Sequence, residues 1–305
     1  MIDFIGDVHG HSDRLETLLK RLGYCKESGV YRHPTNKAIF LGDYIDRGPD
    51  VRGAVNIVRH MVEAGSAQAL LGNHEFNALC FWQKKKEGGY LRDHSINKIL
   101  IHVKTLEAYQ HAQEEFQDVL SWFLTLPLFI EAPEFRAEHA CFDEGAVKIL
   151  KEKKCLTIGS FERVHEICSS SGDLSDAVNT LLQGPETELS EKDAFIDSEG
   201  IRRTRTRIKW WADPKGKTLR ELAFQPGVEI PPNALSPEIL SRHFYGEKER
   251  PVLFGHYWLK GKPELIRSNV CCLDYSVASY KGNGVLAAYR FAGEKELLDK
   301  NLIYV

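Results

Sequence analysis

The stretch IDFIGDVHG, residues 2–10, sets the reading of this chain: an apolar run, a glycine, then an aspartate and a histidine two positions apart. A short apolar run that ends at glycine suits a strand buried on both faces. In an extended segment residues i and i+2 point the same way, so Asp7 and His9 can reach one ion. The pattern returns in AIFLGDYIDRG (38–48), ALLGNHE (69–75) and VLFGH (252–256), which put Asp43, Asn73 and His256 where an apolar run breaks off. His139, in FRAEHACF (135–142), completes a set of six metal-type ligands. In open α/β sheets the site lies at the carboxyl ends of the strands, so these breaks are expected to converge there. The ligands span most of the chain, so only the folded chain can gather them.

The bulk numbers agree with an ordinary globular enzyme. The 305 residues are 43% hydrophobic and 27% charged, enough for a large core in one big domain or two small ones. A net charge of −3 gives no global field toward nucleic acid or membrane. No apolar stretch approaches the roughly 20 residues that span a bilayer. A strand begins within two residues of Met1, which leaves no room for a signal peptide, and seven irregularly spaced cysteines do not suggest a disulfide framework. Free thiols and a cytoplasmic location are the expectation.

The first third reads β-α-β-α-β, with strands at 2–6, 37–41 and 67–71. The helix after the first strand carries Leu15, Leu18, Leu19 and Leu22 on one stripe, with Ser12 as N-cap and Gly23 as stop. A second helix is expected near 50–64. Residues 74–124 look mainly helical with a break at Gly88-Gly89, and 127–131 and 135–142 look like a return hairpin. Further strands are expected at 251–255, 270–274 and 285–291. Residues 143–206 are polar and mixed, with helices near 160–168 and 173–183. One α/β domain over 1–305 fits, with helical insertions at about 84–124 and 143–206, the latter a lid over the site.

Imidazole and carboxylate ligands together suit Mn, Fe, Zn or Ni rather than Ca. Asp43 offers a carboxylate that can bridge two ions, and Asn73 a neutral amide oxygen. With two divalent ions, two aspartates and a bridging hydroxide, the filled site keeps positive charge and favours phosphate. Ions about 3.5–4 Å apart can generate hydroxide at neutral pH and clamp the attacking and leaving oxygens. A lone Asp-x-His recurs by chance on surfaces. GDVHG, GDYIDRG and GNHE in order, each at a strand end, do not.

These three motifs resemble the signature of the calcineurin-like metallophosphoesterases, and GDYIDRG (42–48) resembles the branch of Ser/Thr protein phosphatases and symmetrical diadenosine tetraphosphatases. The resemblance is tight over 1–80 and resumes at His139, WADP (211–214) and FGH (254–256). It implies a β-sandwich flanked by helices around a dinuclear site. Asp7, His9 and Asp43 would hold the first metal, and Asp43, Asn73, His139 and His256 the second. Mn²⁺ comes first, with Fe, Zn or Ni as alternatives. His74 would be the general acid, oriented by Asp46. Arg47 would grip phosphoryl oxygens, and Arg220 resembles a second phosphate-binding arginine. The chain departs from the superfamily pattern in two places. Tyr257-Trp258 after His256 removes the second histidine of the usual Gly-His-x-His. Ala140-Cys141 replaces the Gly-Gly after His139.

Two further features carry weaker readings. RRTRTRIKWW (202–211) alternates Arg203, Arg205, Arg207 and Lys209 with Thr204, Thr206 and Ile208, so four cations would share one strand face. That face is either solvated or an electropositive wall for a polyphosphate or oligonucleotide, with Trp210 or Trp211 stacking a base. Trp258 is either core or near the mouth of the site. His33, His60, His94, His102 and His111 carry no ligand spacing.

The leading expectation is a phosphatase that hydrolyses a phosphomonoester by in-line attack of the metal-bridging hydroxide, without a phosphoenzyme. Its substrate would be a phosphorylated small molecule, a nucleotide or a phosphoprotein. The enzymatic alternative is a bis(5'-nucleosyl)-tetraphosphate pyrophosphohydrolase or another nucleotide or polynucleotide phosphoesterase. Outside enzymology the alternative is a metal- or phosphate-binding regulatory protein. An RNA-binding role has least support.

Overall fold

The computed structural model describes residues 1–169, 171–189, 194–196, 202–224, 243–279 and 282–305. In chain order the strands are β1 (Ile2–Ile5), β2 (Cys25–Glu27), β3 (Val30–Arg32), β4 (Lys37–Phe40), β5 (Ala67–Ala69), β6 (Phe129–Glu131), β7 (Arg136–Glu138) and β8 (Glu186–Glu188). They continue as β9 (Phe195–Ile196), β10 (Arg202–Arg203), β11 (Arg205–Arg207), β12 (Val252–Phe254), β13 (Val270–Cys272), β14 (Asp274–Tyr275), β15 (Val285–Phe291) and β16 (Leu302–Tyr304). The helices are α1 (Ser12–Arg21), α2 (Val51–Glu63), α3 (Asn73–Trp82), α4 (Ile96–Tyr109), α5 (Gln113–Phe123), α6 (Glu144–Glu152), α7 (Phe161–Ser169), α8 (Asp173–Gln183) and α9 (Leu219–Leu222).

Two sheets face each other. The larger runs β14-β15-β1-β4-β5 with β16 on β15, and the smaller runs β13-β12-β7-β6. The period-two alternation of buried strands sends neighbouring residues to opposite sides. Phe4, Ile39 and Leu70 of the larger sheet meet Ala137, Leu253 and Cys271 of the smaller in one apolar layer. Ile5, Ala38, Phe40 and Ala69 turn the other way, into a cluster with Leu15, Leu18 and Leu19 of α1 and Val55 and Val58 of α2. This is a β-sandwich flanked by helices. Val147 of α6, Val164 of α7, and Val178 and Leu181 of α8 join that helical cluster. No helix among the described residues is long and apolar enough to cross a membrane.

Three local expectations change. His11, not Ser12, occupies the N-cap of α1, because the Ser12 hydroxyl donates to Asp50 Oδ2 at 2.6 Å instead. The helix α6 was not anticipated. The RRTRTRIKWW strand breaks at Thr204 into β10 and β11, and the Arg203 side chain lies outside the described residues. Thr206 and Ile208 are buried, while β8 pairs Arg205 with Glu188 at 2.9 Å and sets Glu186 3.6 Å from Arg207. The cationic face is thus met by carboxylates from the neighbouring strand. Trp210 and Trp211 are core residues, and the Trp210 indole N–H donates to the Ala140 carbonyl at 3.0 Å.

A buried ion pair joins the two ends of the chain. Asp3 in β1 has no exposed surface; it accepts from Arg290 Nε at 2.7 Å and Nη2 at 3.0 Å and from Asn36 at 3.1 Å. Removing one partner of such a pair leaves an uncompensated charge. Arg290→Met should lower unfolding free energy by about 3 kcal/mol in urea titrations. Adding Asp3→Asn should recover part of that loss; no recovery would show that the charge itself is not the cause.

Candidate metal centre

The site grows from two loops that run side by side. The amides of Val8 and His9 both donate to the Asp43 carbonyl (3.0 and 2.8 Å), and the Gly10 amide donates to the Tyr44 carbonyl at 2.8 Å. Among the described residues nine non-glycine residues have positive φ, and five are expected site residues: His9 (43°), Asp43 (56°), Asp46 (69°), Arg47 (64°) and His256 (68°). This region costs an L-residue roughly 1–2 kcal/mol. Glu75, buried at the third position of α3, offsets that cost. Its carboxylate accepts from the amides of Asp43 (2.9 Å), Tyr44 (2.8 Å), Ile45 (3.2 Å) and Gly72 (3.1 Å). Two glycines are sterically required. A Cβ at Gly42 (φ 104°) would stand 2.7 Å from His139 Nδ1 and from Gly72 Cα, and one at Gly255 would stand 1.9 Å from Asp7 Oδ1.

The six expected ligands converge, five of them buried. Asp43, His139 and His256 each bring one ligand atom within 4.8 Å of the others, as do His9, Asp43 and His74. Asp7 joins through the chain's far end: its oxygens accept the His256 amide at 3.0 and 3.2 Å. Asn73 Oδ1 lies 2.9 Å from His139 Nε2 and 2.8 Å from His256 Nδ1.

The tautomers are set from behind. His9 Nδ1 donates to the Ile45 carbonyl at 3.0 Å, and His139 Nδ1 to the Leu41 carbonyl at 2.8 Å. In His9, which burial keeps neutral, Nε2 is then a bare lone pair. His9 Nε2 faces Asp43 Oδ2 at 3.5 Å, and His139 Nε2 faces the Asn73 oxygen. Acceptors opposed to acceptors are repulsive unless a cation lies between them. The pKa shifts agree. Burial, then the charges of Asp274 and Asp43, push the Asp7 carboxyl well above its ordinary range. Burial and His74 bring His9 down to about 3, and burial with Arg207 and His139 holds His256 far below its usual value. Neutral imidazoles beside crowded carboxylates form a donor set for divalent ions.

His74 stands beside this set and is engaged elsewhere. Its Nδ1 donates to Asp46 Oδ2 at 2.5 Å, which leaves Nε2 3.9 Å from Asp43 Oδ2. Burial disfavours the protonated ring, but Asp43 and Asp46 outweigh it and the His74 pKa is raised. Burial likewise opposes ionised Asp46, yet hydrogen bonds from His102 and His74 carry its pKa well below the usual carboxylate range.

The two arginines differ in placement. Arg47 is exposed, and its charge reaches His9, His74 and Asp274. Arg220 is exposed on α9. Arg207, which the sequence left in a stripe, acts on His256 and lies 5.9 Å from the Trp258 ring. Trp258 is 37% exposed. Cys141 is fully buried and burial pushes its thiol pKa well up, so it is packing rather than a reactive group. Sequence reasoning passed over Asp274, which is buried, accepts the amides of Trp258 (2.6 Å) and Ser276 (2.9 Å), and raises Asp7. Its signal was present: it follows the apolar run VCCL as the ligands follow theirs, but without a glycine.

Two measurements check this geometry. Gly42→Ala should displace His139 and lower bound metal, read by elemental analysis of the purified protein; full occupancy would contradict the fit. The depressed Asp46 pKa means its stabilisation is complete above the unfolded value near about 4 and is lost as pH falls. The melting-temperature gap between the metal-free wild type and Asp46→Asn should therefore narrow from pH 7 toward pH 3. A gap that stays constant would show that Asp46 is not held ionised.

The chain is 43% identical over 86 residues to the asymmetrical bis(5'-nucleosyl)-tetraphosphatase PrpE of Oceanobacillus iheyensis, which covers 28% of this chain and 34% of that protein. The PrpE protein of Bacillus subtilis is 36% identical over 73 residues, 24% of this chain and 30% of its own length. The chain thus spans about a third of the curated relatives it matches. Among solved structures, the cold-active protein-tyrosine phosphatase of a Shewanella species superposes with a TM-score of 0.53 at 18% identity, over 97% of this chain and 80% of that one. A protein serine/threonine phosphatase from Saccharomyces cerevisiae gives 0.50 at 15%, over 100% and 78%. Both share the fold. The family model for calcineurin-like phosphoesterase matches residues 1–257, and the chain belongs to that family.

Proposed function

We propose that this metallophosphoesterase hydrolyses a nucleoside polyphosphate, with Asp7, His9, Asp43, Asn73, His139 and His256 holding two divalent ions, Mn²⁺ first. The observation that carries the catalytic reading is the His74–Asp46 pair at 2.5 Å, whose free Nε2 faces the ligand cluster. A binding protein needs no proton donor there. When bound, the ions supply Lewis acidity and an activated water. The chain's own residues do the rest. Arg47 meets the phosphoryl oxygens with its planar fork. His74 delivers the Nε2 proton to the departing oxygen, and Asp46 holds its tautomer and orientation. No side chain is placed as a nucleophile, so no phosphoenzyme forms.

Two observations favour a nucleoside-bearing substrate over the simple phosphomonoester expected from the sequence. The curated relatives are named tetraphosphatases, although their match is confined to about a quarter of this chain. Half-exposed Trp258, two residues after His256 and with Arg207 against its ring, offers a base a stacking surface. Arg220 is the weaker candidate for a second phosphate contact, and Arg207 the nearer one. Phosphomonoester hydrolysis would use the same machinery.

The test is turnover of metal-stripped protein reconstituted with Mn²⁺ on diadenosine tetraphosphate, an aryl phosphomonoester and its diester. Preference for the tetraphosphate is expected. Turnover of the monoester alone would restore the phosphatase reading, and no turnover with metals bound would leave a binding protein. His74→Asn should keep its metals and lose about 10²–10⁴-fold in kcat. Should that variant lose its metals instead, His74 is a ligand. Rapid quench should trap no phosphorylated protein.

A further inference from the structure

The helical stretch 84–124, read from the sequence as an insertion, reaches the catalytic pair through α4. Asp46 has one neighbour on Oδ2 and two on Oδ1. Oδ2 accepts from His74, while Oδ1 accepts from His102 Nδ1 at 2.7 Å and from Thr105 Oγ1 at 2.5 Å. Thr105 also accepts the Asp46 amide at 3.1 Å, so it holds both the carboxylate and the left-handed backbone that presents it. His102 and Thr105 are three residues apart on one helical face and both are buried.

The tautomer of His102 is fixed by its other side. The Trp82 indole N–H can only donate, and it points at His102 Nε2 at 3.4 Å. The His102 proton therefore sits on Nδ1, directed at Asp46. Phe81 packs against the same imidazole, with ring centroids 5.0 Å apart. Trp82 and His74 belong to one helix, α3, so a single element anchors both ends of the chain Trp82–His102–Asp46–His74.

We propose that His102 is a positioning residue of the hydrolase: it fixes the Asp46 carboxylate and, through it, the orientation in which His74 presents its Nε2 proton. The inference rests on His74 being the general acid. His102 touches neither substrate nor metal. With both Oδ1 donors in place Asp46 cannot rotate, so its Oδ2 stays in line with His74 Nδ1. Without His102 the carboxylate turns and His74 loses its fixed direction.

The probe is a pair of aryl phosphates that differ only in the leaving group, 4-nitrophenol and phenol. Phenoxide needs its proton more than nitrophenoxide, so misplacing the acid should hurt phenyl phosphate more. His102→Ala should lose about tenfold to a hundredfold in kcat on phenyl phosphate, and distinctly less on 4-nitrophenyl phosphate, with metal content unchanged. His102→Asn, whose amide N–H can replace Nδ1–H, should recover most of the loss. Trp82→Phe, which frees the tautomer without touching Asp46, should give the same imbalance in milder form. Equal losses on both esters, no loss, or loss of metal would each overturn the proposal.

A spectroscopic arm separates it from the functional reading. Imidazole protons hydrogen-bonded to a carboxylate resonate far downfield in proton NMR. Wild type should show two such signals, and His102→Ala should abolish one and move the other. If wild type hydrolyses neither ester, the hydrolase reading is what is in question, and these resonances still decide the relay. A surviving signal in His102→Ala that has not moved would contradict it.

Discussion

The constraint on which the rest depends is the backbone from Asp43 to Arg47, where three of five residues lie in the left-handed region. A run of this kind does not persist without support, because each such residue is disfavoured by roughly 1–2 kcal/mol. Glu75 binds the amides of Asp43, Tyr44 and Ile45, and Thr105 takes that of Asp46. Both come from helices that follow the strand in sequence. The loop is thereby turned so that Asp43 faces the imidazoles while Asp46 faces His74. Loosening either helix would move Asp43 and Asp46 together.

The electrostatics follow from that geometry. The carboxyls of Asp7, Asp43 and Asp274 and four imidazoles are gathered in a buried space, and hydrogen bonds from Nδ1 to backbone carbonyls turn the Nε2 atoms of His9 and His139 inward. Such an arrangement is unfavourable for an apo protein and favourable for one carrying divalent cations. His74 differs from its neighbours in one respect. Asp46 claims its Nδ1, so its other nitrogen can offer a proton to the site.

The sequence made the strands and the residues gathered at their ends legible because both leave local marks. Apolar runs that stop at glycine show where strands end, and Asp7, His9, Asp43, Asn73 and His256 follow those glycines, while His139 follows β7 without one. The sandwich architecture came from the resemblance to a family rather than from periodicity. What stayed hidden depends on partners far away in the chain. His102 has no spacing that marks it, and its role exists only because α4 packs beside Asp46, 56 positions earlier. Glu75 was quoted as part of a motif, yet its work is tertiary. The alternation in RRTRTRIKWW correctly buried Thr206 and Ile208, but the glutamates that meet Arg205 and Arg207 come from β8. Ser12 fitted an N-cap by local preference and was drawn to Asp50, 38 positions on.

The central claim is that six residues from the whole length of the chain hold two cations. Crystals soaked in Mn²⁺ and measured at the manganese absorption edge test it most directly. The account predicts two anomalous peaks about 3.5–4 Å apart with Asp43 between them, one toward Asp7 and His9 and the other toward Asn73, His139 and His256. A single peak with His74 as a ligand, or no peak among these residues, would contradict it.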